Sequence, residues 1–182
     1  MDKSGPTVLV LASGRGERFA ESGGATHKLQ ALLAGKPVLR HTLDAVAASG
    51  LPWHLEDAGH PGMGDAIAAA VRATPDASGW LVLPGDLPLV QAATLRAVAH
   101  ALAQHVVVAP MFKGVRGHPV GFSAACRDAL LDLNGDFGAA AVLRAQAARK
   151  AVAFIDVNDA GSVTDIDTLE DLRRAEALLA QR

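Results

Sequence analysis

Apolar runs of strand length alternate with longer stretches whose apolar positions recur every three or four residues, and that alternation organises most of the chain. Strands are expected at Thr7–Ala12, Trp53–Glu56, Trp80–Pro84, Val106–Pro110, Val120–Ser123 and Val152–Val157. Helices are expected at Val38–Ser49, Gly64–Thr74, Ala92–Gln104, Ala124–Leu133, Gly138–Ala147 and Thr168–Leu179. Leu81-Val82-Leu83 and Val106-Val107-Val108 are apolar at every position, which suits strands covered on both faces rather than one. Strands alternating with helices predict an α/β domain, a Rossmann-like three-layer α/β/α sandwich around a mostly parallel sheet. A single domain spanning 1–182 accommodates it, and no internal repeat or charge block divides the chain. The Gly/Ser-rich segment Ala20–Thr26 is the expected mobile loop.

The first strand leads into the densest chemistry. Val8-Leu9-Val10-Leu11 stops at Ala12-Ser13-Gly14-Arg15-Gly16, and Arg18 and Lys28 follow. Glycines let the backbone approach an anion, amide N–H groups at a helix start point toward it, and the cations neutralise it, so this segment reads as a phosphate-holding loop. A plain glycine turn is the competing reading. The dinucleotide fingerprint fails because its third glycine would fall on Phe19, and the P-loop fails because Gly35-Lys36 is followed by Pro37.

Ligands of such sheets sit outside the carboxyl ends of the strands, and three further clusters fall there. Pro84-Gly85-Asp86-Leu87-Pro88 puts a carboxylate after a buried strand, where it could hold Mg²⁺ or simply cap the next helix. Gly117-His118-Pro119-Val120-Gly121-Phe122 carries a histidine that is either a substrate contact or a turn residue. Asp165-Ile166-Asp167-Thr168-Leu169-Glu170-Asp171 offers two carboxylates on one side of an extended run, although acids at a helix start need no metal to explain them, and Thr168 with Asp171 has the spacing of a helix cap.

Composition narrows the partners. A chain of 182 residues that is 50% apolar builds a real core, and a net charge of −2 argues against non-specific nucleic-acid binding. One cysteine, Cys126, excludes a disulfide framework and fits a reducing compartment. With no charged start ahead of an apolar run and no apolar span of about 18 residues, a soluble cytoplasmic protein with no membrane partner is expected.

In order along the chain, these motifs resemble the molybdenum cofactor cytidylyl- and guanylyltransferases, within the nucleotidyltransferases built on a Rossmann-like sheet. Leu11-Ala12-Ser13-Gly14-Arg15-Gly16-Glu17-Arg18 with Lys28 is similar to that family's opening loop, Gly62-Met63-Gly64-Asp65 to its base-side helix start, and Leu83-Pro84-Gly85-Asp86-Leu87-Pro88 to its metal-binding segment. Gly117–Phe122, Gly135-Asp136-Phe137-Gly138-Ala139 and Asp165–Asp171 are similar to its later segments. The resemblance implies a nucleotide site at Leu11 to Gly16 and Gly62 to Asp65, with Arg18, Lys28 and Asp86 as catalytic residues. It also implies Mg²⁺ held by Asp86 with Asp165 or Asp167, Asp165 being preferred, and an acceptor site at Gly117, His118, Pro119 and Asp136. The implied substrates are a nucleoside triphosphate, CTP before GTP, and the terminal phosphate of a molybdopterin-type acceptor, with a molybdenum hydroxylase receiving the product. Ser13 stands where the family has Ala or Gly. Only Gly50–Pro61 separates Ser49 from Gly62, so the sheet is expected to be one α/β unit shorter than usual for the family.

Overall fold

The computed structural model describes residues 5–14 and 16–181. Its main sheet has seven strands: β1 (Thr7–Leu11), β4 (Trp53–Glu56), β5 (Gly79–Pro84), β6 (Val107–Phe112), β7 (Val115–Arg116), β8 (Val120–Ser123) and β9 (Val152–Asp156). β4, β1 and β5 run parallel, β8 lies antiparallel between β5 and β6, and β9 is parallel to β6 on its other side. The chain leaves β1 for β4 on one side and returns to β5 on the other, so the carboxyl end of β1 is the switch point where such sheets bind ligands.

Side-chain alternation divides the core into two layers. Val8, Val10, Leu81 and Leu83 face α2 (Val38–Ser49) and α4 (Ala92–Leu102). Leu9, Leu11, Trp80 and Val82 face α3 (Met63–Ala73), α5 (Arg127–Leu131) and α6 (Ala140–Ala148). Continuous apolar strands are the consequence of this two-sided burial, since neither face of the central strands meets water.

A third, smaller core is where the structure goes beyond the sequence pattern. It joins α1 (Glu17–Glu21), a hairpin of β2 (Leu32–Leu33) and β3 (Lys36–Pro37), and α7 (Leu169–Leu179) through Phe19, Leu29, Ala31, Leu33, Val38, Leu89, Ile166 and Ala175. Two-residue strands carry no readable period. The hairpin is marked instead by its turn, in which Ala34 and Gly35 both take positive φ, 49° and 79°, the requirement of the two-residue turns that match strand twist. Ala20–Thr26, the expected mobile loop, is mostly exposed and touches this core at Ser22 and Gly24. Ser22 Oγ donates to the Phe19 carbonyl and accepts from the Leu169 amide, while Gly24 lies so close to the Phe19 ring that a Cβ would sit 2.3 Å from it.

Asp159, buried at 1% exposure, ties the segment before α7 to the start of α4. Its carboxylate accepts from the Gln91 amide at 2.9 Å, the Thr94 hydroxyl at 2.7 Å and the Gly161 amide at 2.9 Å. Hydrogen bonds to a charged group contribute about 1.5–3 kcal/mol each, and their donors would be stranded without it. Asp159→Ala is therefore expected to cost about 3 kcal/mol or more, lowering Tm by roughly 6–12 °C in a chain of this size. Calorimetry that finds a Tm within about 2 °C of wild type would contradict this role.

Candidate active site

Each charged residue of the site adjoins an anchor in the third core: Arg18 precedes Phe19, Lys28 precedes Leu29 and Asp167 follows Ile166. Burying the anchors brings the three charged groups together at the switch point. The order is linear: Arg18 Nη1 lies 2.6 Å from Asp167 Oδ2, Lys28 Nζ lies 2.9 Å from Asp167 Oδ1, and Lys28 Nζ also lies 2.6 Å from Asp86 Oδ2. Asp86 is held by its neighbours. Gly85 donates its amide to the Leu11 carbonyl, Thr42 Oγ1 donates to the Gly85 carbonyl, and the Ile166 amide donates to the Asp86 carbonyl.

These contacts set the electrostatics. Burial works against the Lys28 ammonium, but the charges and hydrogen bonds of Asp86 and Asp167 outweigh it and hold its pKa above the ordinary lysine value. Burial likewise opposes ionisation of Asp167, and the Lys28 and Arg18 cations reverse that and hold its carboxyl below the usual range. Asp165 shares neither cation. Its carboxyl is pushed up, first by partial burial and then by the negative charges of Asp86, Asp167 and Asp171. Across Lys28 the carboxylate paired with Asp86 is thus Asp167, while Asp165, preferred from the sequence as the second metal carboxylate, forms no ion pair among the described residues. The helix cap is as the spacing suggests: the Asp171 amide donates to Thr168 Oγ1, and the Thr168 amide donates to Asp171 Oδ2 at 2.9 Å.

Ser13, Gly14, Gly16, Arg18, Lys28, Gly62, Met63, Asp136 and Asp167 line one pocket of about 410 Å³. Arg15 lies outside the described residues. His27 shapes the glycine loop: its Nδ1 accepts from the Leu29 amide, so its Nε2–H is the donor to the Gly14 carbonyl at 2.7 Å. Gly16, at φ 67°, leaves room for that ring, since a Cβ there would sit 3.2 Å from His27 Nε2.

Gly62 and Gly64 have a packing reason to be glycine. Cβ atoms on them would lie 2.2 Å from the Gly135 carbonyl and 2.7 Å from the Asn134 backbone. Asp65 turns to the same loop and accepts the Gly135 amide at 2.9 Å, so it positions the pocket wall and is not part of the pocket lining. His60 and Pro61 line the pocket although no sequence motif marked them. His60 Nε2 is 2.9 Å from Glu56 Oε1, and Glu56 sits at the end of β4 beside Ala12, whose amide donates to the Glu56 carbonyl.

Leu11 and His118 line a second cavity, of about 240 Å³, and Met63 lies in the walls of both. Gly117 and Pro119 are buried beside His118, and the His118 amide donates to the Ser162 carbonyl. Pocket, glycine loop, clustered cations and two carboxylates form an arrangement able to hold a polyphosphate at one end and a nucleoside at the other.

Comparison with known proteins gives the family and the fold. A family model described as the MobA-like NTP transferase domain matches residues 44–151. The bifunctional protein GlmU of Stenotrophomonas maltophilia strain K279a is 32% identical over 146 residues, which cover 67% of this chain and 30% of that protein. The chain therefore spans about a third of the length of the curated relatives it matches. Among solved structures, Rv0371c of Mycobacterium tuberculosis H37Rv superposes with a TM-score of 0.78 at 23% identity, covering 97% of this chain and 100% of that one. The same protein in complex with manganese gives 0.71 at 21% identity over 96% and 98% of the two chains. Molybdopterin-guanine dinucleotide biosynthesis protein A of Archaeoglobus fulgidus gives 0.64 at 19% identity over 97% and 100%.

Proposed function

This chain belongs to the MobA-like NTP transferase domain family, and from that premise we propose that it transfers CMP from CTP to the terminal phosphate of a molybdopterin-type acceptor, with release of pyrophosphate. The observation that carries the proposal is the row Arg18–Asp167–Lys28–Asp86, whose first three members line the glycine-loop pocket. The acceptor phosphate, with a second pKa of about 6, is already ionised at neutral pH, so no side chain has to remove a proton. One of its oxygens forms a bond to the α-phosphorus, the bond from that phosphorus to the α–β bridging oxygen breaks, and pyrophosphate leaves with the electron pair. Catalysis then rests on alignment and on charge. Lys28 and Arg18 neutralise the β- and γ-phosphates, and the amides around Gly14 and Gly16 hold them close to the sheet.

The donor set fits a hard divalent cation. Asp86 Oδ1 is buried and accepts no hydrogen bond, and Lys28 already puts a positive charge between Asp86 and Asp167. No group of three His, Cys, Asp or Glu with ligand geometry occurs among the described residues, which suits Mg²⁺, an ion that takes one or two carboxylates and fills its shell with phosphate oxygens and water. Asp86 and Asp167 would hold it, and when bound it supplies charge neutralisation at the triphosphate.

CTP is favoured over GTP by the Gly117–Phe122 and Asp165–Thr168 segments, which resemble the cytidylyl branch. A pyrophosphate-release assay with molybdopterin and each of the four ribonucleoside triphosphates tests the whole reading. CTP is expected to lead by tenfold or more. Preference for GTP would reverse the base assignment, and tight molybdopterin binding without pyrophosphate release from any nucleotide would make the chain a carrier that delivers the cofactor to a molybdenum hydroxylase.

A further inference from the structure

The second cavity raises a question of its own, because it keeps two features a folded core normally eliminates. It is open space of about 240 Å³ against buried core residues, among them Leu11, Val82, Phe122 and Leu143. In its wall stands His118, whose Nδ1 is buried and has no hydrogen-bond partner. An apolar-walled cleft beside a buried, unpaired polar atom points to something that fills the one and pairs with the other.

Chemistry at the cavity follows from the ring. The Val82 backbone beside the ring favours its charged form, while Nδ1 is left without a partner. Burial pushes the imidazole below the usual histidine range, against the pull of the nearby Asp86 carboxylate, so the ring is neutral at neutral pH. In the neutral tautomer that carries its proton on Nε2, the unpartnered Nδ1 presents a lone pair to a donor from outside the protein. Apart from His118 and Arg116, the lining is apolar.

Location follows from the neighbours. Met63 lies in the walls of both cavities, and the Asp86 charge acts on His118, so this space neighbours both the first pocket and Asp86. Building on the reading that the first pocket holds the nucleotide, we propose that the second cavity receives the part of the acceptor next to its phosphate, and that this part is compact and apolar with one N–H or O–H group donating to His118 Nδ1. Arg116 is the cation available to the acceptor's phosphate there. At about 30 Å³ per water the cavity has room for roughly eight, which suits a fragment and not a whole drug-sized ligand. A sugar ring fits this lining poorly, because every hydroxyl buried without a partner costs about fivefold or more in affinity.

Calorimetric titration of the full chain tests this with probes of defined polarity: n-butyl phosphate, 4-hydroxybutyl phosphate and glucose 1-phosphate, each added with Mg²⁺ in the presence and absence of α,β-methylene-CTP. Both alkyl phosphates are expected to bind at least tenfold tighter than glucose 1-phosphate, and the terminal hydroxyl to add roughly fivefold, the worth of one hydrogen bond. In His118→Phe the hydroxyl advantage should vanish while n-butyl phosphate still binds. Glucose 1-phosphate binding as tightly as the alkyl phosphates overturns the proposal, and so does a hydroxyl advantage that survives in His118→Phe. The wild-type ranking decides the polarity of the cavity even if the variant does not fold. Failure of α,β-methylene-CTP to bind counts instead against the nucleotide assignment of the first pocket, and is read from a separate titration.

Discussion

Asp86→Asn is expected to lower kcat by about 10³-fold while the protein stays folded. The substitution is nearly isosteric, and Lys28 keeps its second partner, Asp167, at 2.9 Å. The backbone contacts that place residue 86, from Ile166 to its own carbonyl and from Thr42 and Leu11 to Gly85, do not involve the side chain. What is lost is the charge that would balance a divalent cation at the reacting phosphates, together with the buried, unpaired Oδ1 suited to ligate one. Single-turnover pyrophosphate release alongside a melting curve separates the two effects. Turnover near wild type at ordinary Mg²⁺ would remove Asp86 from the metal site, and a collapse of Tm would make its role structural.

Replacing Lys28 with alanine is expected to move two quantities in opposite directions. Nucleotide-dependent kcat/KM should fall by roughly one to two powers of ten, because a hydrogen bond between charged groups is worth about 1.5–3 kcal/mol and this one strengthens as charge develops on the leaving pyrophosphate. Meanwhile the nucleotide-free protein should bind Mn²⁺ more tightly. In the structure the Lys28 ammonium lies between the two carboxylates that would ligate the ion, and removing a unit charge at about 4 Å relieves on the order of 1–4 kcal/mol, a gain of about fivefold or more. Electron paramagnetic resonance titration of free Mn²⁺ measures this with no substrate present. Equal Mn²⁺ affinity in the two proteins would mean that the metal lies away from the Asp86–Lys28–Asp167 row. Arg18→Ala should weaken nucleotide binding with a far smaller Mn²⁺ effect, since Arg18 is 76% exposed in its side chain and, among the described residues, pairs with Asp167 Oδ2 alone and not with Asp86.

The part of this protein determined by its sequence alone is the part that rests on period and local chemistry. Val8 to Leu11 and Leu81 to Leu83 read as buried strands because a strand with both faces covered must be apolar at every position. The helices from Val38, Ala92 and Leu169 were visible in their spacing, and Thr168 with Asp171 marked the last start because a capping box is a contact between residues three apart. Asp86 and the glycine loop stood out for the same reason, each being a short pattern at the end of a legible strand. Tertiary structure alone decided which of these groups meet. Arg18, Lys28 and Asp167 are as far apart as 149 positions in the chain, and they converge because Phe19, Leu29 and Ile166 bury in a common small core that no sequence period announces. Which of Asp165 and Asp167 pairs with Lys28 belonged to that level, since both lie on one extended run and only packing turns one of them to the ammonium. So did the roles of Asp65 and His27, whose partners are backbone atoms of segments remote from them or brought round by a turn. Local physics writes a periodic signal into neighbouring residues, whereas an ion-pair row assembled across three segments leaves no trace until the chain has closed on itself.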